Sequence, residues 1–92
     1  MDLDELKRRA AEADRLLQNP LLREVIETTR TLNVNAWLNT AASEVEKRET
    51  AWLAIKSLDA IPKRLAAIID NAKAAEATLD ALAREQITGE PV

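Results

Sequence analysis

The second half of the chain carries apolar residues seven apart. Ala51, Leu58, Leu65, Ala72 and Leu79 fall at strict heptad spacing, and Ile55, Ile61, Ile68 with Ile69, Ala75 and Leu82 fill the steps between them. A helix shows such a seam when it lies along another helix for several turns. The spacing predicts one long helix over about 44–85, about 60 Å in length at the α-helical rise. Pro62 falls inside it, removes the hydrogen bond to the carbonyl four residues earlier, and crowds that turn. Either the helix kinks near Leu58, or Asp59 caps a fresh helix. The heptad keeps its phase across Pro62, which favours one kinked helix.

The first half reads as two shorter helices. Leu3, Leu6, Ala10, Ala13 and Leu17 mark one face of a helix over 3–18. Asp2 with Glu5 makes a capping-box-like start, and the acids of the first turn complement the helix dipole. Asn19-Pro20 reads as an N-cap followed by proline at the first helical position, and a residue before proline resists α geometry. A second helix over 20–38 therefore starts in a new direction, with Leu21, Leu22, Val25, Ile26, Thr29 and Leu32 as its stripe. Asn33-Val34-Asn35 has poor helix propensity and predicts fraying or a bend. The run 39–43 is the turn candidate, and Ser43 with Glu46 predicts a second capping box before the long helix. The tail 87–92, with Gly89 and Pro91, is predicted to fray. Residues 1–86 thus form one all-α domain, an antiparallel helical hairpin or small bundle with coiled-coil-like packing.

Composition narrows the function classes. Ninety-two residues with a single glycine and three prolines lack the turn residues that hairpins and sheets need. A chain this short buries only about 60% of its unfolded surface, so oligomerisation is a common remedy. With no cysteine and no histidine, thiolate metal sites, disulfides and the usual general base are absent. One glycine cannot build a phosphate-cradling loop. No enzyme activity, cofactor or metal is expected. Thirteen basic against sixteen acidic residues leave a net charge of −3, which weighs against non-specific nucleic-acid binding. No run is long and apolar enough for a membrane span, and the acidic, amphipathic start is unlike a signal peptide. An intracellular setting is the expectation.

Association is the chemistry that remains. Arg48-Glu49 beside Trp52 is the most site-like cluster, because Trp and Arg are enriched at binding hot spots. Alternatively Trp52 anchors the corner between the second and third helices, with Arg48 over its rim. Trp37, near the turn, carries the same two readings. Leu58, Leu65, Ile69 and Leu79 are the candidate seam contacts to another copy. Lys56, Lys63, Arg64 and Lys73 form a basic stripe that could meet phosphate or an acidic partner. Asp59, Asp70, Glu76 and Asp80 interleave with it, as on a solvated helix face or a coiled-coil flank.

The words Leu16-Leu17-Gln18-Asn19-Pro20-Leu21-Leu22, then Trp37, then Arg48-Glu49-Thr50-Ala51-Trp52 and Lys56-Ser57-Leu58 resemble those of small tailed-phage and prophage proteins encoded among virion-assembly genes. They span about half of the chain. The resemblance implies a phage origin and a role in head or packaging assembly, in the virion or the host cytoplasm, and it transfers no catalytic residue. The leading expectation is a non-enzymatic assembly protein that acts through helix–helix homo-oligomerisation. The alternatives are an inhibitor or adaptor of a host protein, such as a defence nuclease or polymerase, and a nucleic-acid-binding packaging module.

Overall fold

The computed structural model describes the backbone of residues 1–88 and the side chains of residues 1–86. Its elements are α1 (Leu3–Gln18), α2 (Pro20–Leu38) and α3 (Val45–Thr88), with no strand among the described residues. Helices α1 and α2 each pack along α3 and make far less contact with each other. Lys7 pairs with Glu76 at 3.1 Å and Arg30 with Asp59 at 2.9 Å, so α3 runs antiparallel to both. The result is a long hairpin, 75 × 27 × 17 Å, one arm of which is broken at Asn19. Its radius of gyration of 20.9 Å is well above the roughly 12 Å expected of a globule of this length.

The caps are built by the residues that the sequence singles out. Asp2 Oδ1 accepts from the Glu5 N–H at 2.8 Å and opens α1. Asn19 serves two helices: its N–H donates to the Leu16 carbonyl at 3.2 Å, and its Oδ1 accepts from the Leu22 N–H at 3.0 Å. With φ −71° and ψ 116° it is extended, as a residue before proline should be.

Each helix buries a stripe at alternating steps of three and four. In α1 this is Leu3, Leu6, Ala10, Ala13 and Leu17; in α2, Leu22, Ile26, Thr29 and Asn33. In α3 it runs Ala51, Ile55, Leu58, Pro62, Leu65, Ile69, Ala72 and Glu76. Continuing the α1 steps past Leu17 would bring Pro20 and Glu24 to the seam. The extended joint at Asn19 resets the register, and Leu22 and Ile26 arrive there instead.

Several expectations need correcting. Helix α2 runs unbroken through Asn33-Val34-Asn35. The Asn33 amide donates to the Thr29 carbonyl at 2.9 Å, so its side chain stays on the helix instead of capping a break. Helix α3 does pass through Pro62 as one helix, as the heptad phase favours, but Pro62 itself and not Ile61 takes the seam position, leaving Ile61 40% exposed beside it. The fold-back side chain before α3 is that of Glu44, not Ser43: its Oε1 accepts from the Ala41 N–H at 2.8 Å. Backbone helix extends to Thr88, past the expected end near 85, and the rest of the predicted frayed tail lies outside the described residues.

The core is thin. Ala13, Ala51 and Ala72 are the buried apolar residues, and among the described residues no large apolar side chain is fully buried. Alanine on the seam lets the backbones approach closely, while the leucines and isoleucines around it are only half-covered. A half-covered Leu or Ile contributes roughly half of the ~1.5–3 kcal/mol that full burial provides. Two layers of helix cannot do better, because each helix has a neighbour on one side only.

Candidate functional site

Three surfaces of the hairpin carry residues that the sequence marks out. The first lies at the closed end. The turn between α2 and α3 is clamped by Arg48, whose guanidinium donates to the Ala41 carbonyl at 2.7 Å and the Ala42 carbonyl at 3.2 Å. Glu44 closes the same turn from below by accepting from the Ala41 N–H and pairing with Lys47. The Ala41 N–H, then the Lys47 ammonium, and the nearby Arg48 charge hold the Glu44 carboxyl below its ordinary value. Arg48 is thus a structural clamp of the corner.

Trp37 and Trp52 flank that clamp. With Val45, Arg48 and Glu49 they line a shallow cleft of about 280 Å³. The two indoles remain 41% and 50% exposed. The Lys56 ammonium sits 5.4 Å from the Trp52 ring centroid, one helical turn away, in a cation–π contact. Trp37 and Trp52 do come together, although fifteen residues of sequence separate them.

The second surface is the charged flank. A residue that follows a seam position is turned about 100° from it, toward one side of the helix. On α3 these are Trp52, Lys56, Asp59, Lys63, Asp70 and Lys73, and on α2 Arg23, Glu27 and Arg30. Lys56, Lys63 and Lys73 therefore alternate with aspartates along one edge. Arg64 precedes its seam neighbour, Leu65, and lies on the opposite flank. The structure thus splits the basic stripe between two flanks of the hairpin and interleaves its lysines with aspartates on one of them.

The third surface is the seam itself. Leu58, Leu65 and Ile69 are half-buried between α3 and the α1–α2 arm. Leu65 shares a groove of about 470 Å³ with Leu17, Leu22 and Ile26, opened where the joint at Asn19 turns the chain. Leu79, level with the first turn of α1, is 48% exposed. The heptad seam is covered within the molecule along most of its length, which leaves Leu58, Leu65 and Ile69 occupied by the α1–α2 arm.

No family model, curated protein or solved structure matches this chain. Sequence reasoning passed over two groups that the structure brings forward. One is Glu44, visible only as one acid among several before α3. The other is Leu21, Val25 and Leu32, merged with the α2 core stripe; the signal that separates them is that each stands one residue before a seam position.

Proposed function

We propose that this chain is a non-enzymatic assembly protein that works by joining copies of itself through helix packing. The carrying observation is the imbalance of its apolar surface. The buried apolar residues are three alanines, while thirteen large apolar side chains among the described residues are exposed. Scattered exposed leucines are ordinary, but a hairpin that buries no large side chain and displays this many is short of covering partners. The resemblance to tailed-phage proteins supplies the setting for this reading, head or packaging assembly.

Light scattering coupled to size-exclusion chromatography tests it directly. The expected mass at tens of micromolar is an integral multiple, two or more, of 10.2 kDa. A strict monomer across that range overturns the reading.

A second reading, an adaptor that binds a host protein, draws on the paired indoles over Arg48. It requires a monomer in solution and a stoichiometric host complex that Trp52→Ala abolishes.

A further inference from the structure

Several of the exposed apolar side chains share one face of the hairpin. In antiparallel helices, residues that precede a seam position lie on the same broad face of the pair, and residues that follow one lie on the other. The Arg30–Asp59 bond checks this rule, since Arg30 follows Thr29, Asp59 follows Leu58, and the two meet at 2.9 Å. The following face is the charged flank described above. The preceding face carries Leu21, Val25 and Leu32 on α2, exposed by 67%, 53% and 64%. On α3 it carries Ala54, Ile61 and Ile68, again seven apart.

We propose that this face receives a second copy of the chain, hairpin against hairpin across a two-fold axis, to make an antiparallel four-helix bundle. The proposal rests on the homo-oligomeric reading and assigns the surface that performs it.

The spacing of the face is self-complementary. Arg30 opposite Asp59 puts Thr28 level with Ile61 on the neighbouring helix. A two-fold axis crossing the face at that level sets Ile61 against its own copy and Ala54 against Ile68 of the second chain. On the other arm it brings Val25 to within one residue of the level of Leu32, and Leu21 to within one residue of the level of the exposed Ala36. Apolar meets apolar at each of these steps, with a small residue facing a large one at two of them. The overlap takes in the whole of α2 and ends where α1 begins. On α1 the same face carries Leu16 beside the joint and then turns charged, with Glu5, Arg9 and Glu12 all exposed. Arg64 lies on the face too, and its long stem can lie over apolar surface with the head in water.

The area is sufficient. The chain exposes 7347 Å², against about 5,300 Å² for a compact monomer of its mass. The excess of about 2,000 Å², spread over all sides of the elongated hairpin, leaves room for the ~800 Å² per partner that a standard interface buries. Isologous pairing of this kind is the commonest form of closed homo-oligomer.

The chain lacks cysteine, so single cysteines report the geometry. Ile61→Cys, on the axis, is expected to give a disulfide-linked dimer under mild oxidation. Lys63→Cys, on the charged face, is expected to stay monomeric on a denaturing gel. Val25→Glu with Leu32→Glu is expected to halve the mass measured by light scattering. If that variant fails to fold, the Ile61→Cys cross-link still decides. An oligomeric wild type with no Ile61→Cys cross-link, or with an unchanged mass for the double glutamate variant, overturns the assigned face and leaves the assembly reading standing. A monomeric wild type overturns both.

Discussion

Arg30 Nε donates to Asp59 Oδ1 at 2.9 Å across the middle of the hairpin, joining residues twenty-nine apart in the chain. Both side chains are substantially exposed, so the pair sets register more than it adds stability. An exposed ion pair of this kind contributes about 0–1 kcal/mol. Arg30→Ala and Asp59→Ala are therefore each expected to destabilise by less than about 1 kcal/mol, with a coupling energy of a few tenths between them. A double-mutant cycle in urea, at fixed protein concentration, measures this.

Asn19 caps α2 and closes α1 with one side chain and one N–H. Asn19→Ala removes the acceptor for the Leu22 N–H and is expected to cost about 1 kcal/mol, with Asn19→Ser or Asn19→Asp close to wild type. Thermal unfolding followed by helical circular dichroism distinguishes these variants.

Ala72 and Ala13 are buried on the α1–α3 seam, where a larger side chain has no room without separating the helices. Ala72→Leu is expected to destabilise by about 1–3 kcal/mol despite its added apolar surface, as overpacking does. A gain in stability would mean that the seam is looser than the burial of these alanines indicates.

Pro62 occupies a seam position inside α3 and gives no N–H to the Leu58 carbonyl. Restoring that donor with Pro62→Ala is expected to raise stability, by up to about 3 kcal/mol if the surrounding helix accommodates it. An unchanged or lower denaturation midpoint would show that the proline ring's contacts on the seam outweigh the missing bond.

The Glu44 carboxyl is held below its ordinary value of 4.5, first by the Ala41 N–H and then by Lys47. A depressed folded-state value means stability that is complete above the ordinary value and disappears as pH falls through the folded one. Acidification from pH 4.5 downward should therefore loosen the α2–α3 turn, and Glu44→Gln should remove that part of the pH dependence. Amide exchange at Ala41 and Arg48, compared between wild type and variant, reads the effect. Because the Glu44 carboxylate still reaches solvent, salt should shrink it.

Local signals in the sequence located the helices closely. Asp2 and Asn19-Pro20 carry their own capping and φ restrictions, so the boundaries at Leu3, Gln18 and Pro20 follow from chemistry within a few residues of each. The long heptad likewise identified α3 and carried it through Pro62, since a packing repeat that keeps phase is stronger than one missing hydrogen bond. The start of α3 was harder. Ser43 and Glu44 are both competent before a helix, and the choice fell to the contacts that Ala41, Lys47 and Arg48 make after the turn closes.

What the sequence by itself determined, then, is the inventory: three helices, their joints, and a repeat that demands a covering partner. It could not say what covers that repeat, because a heptad fits a neighbour in the same chain as well as one in another. The tertiary structure decided this by folding α1 and α2 back along α3, which consumes Leu58, Leu65 and Ile69 inside the molecule. It also decided which of two adjacent apolar residues, Leu21 or Leu22, Val25 or Ile26, faces inward. That choice depends on the register reset at Asn19 and on the level at which Arg30 meets Asp59, and neither is encoded in the periodicity of one helix.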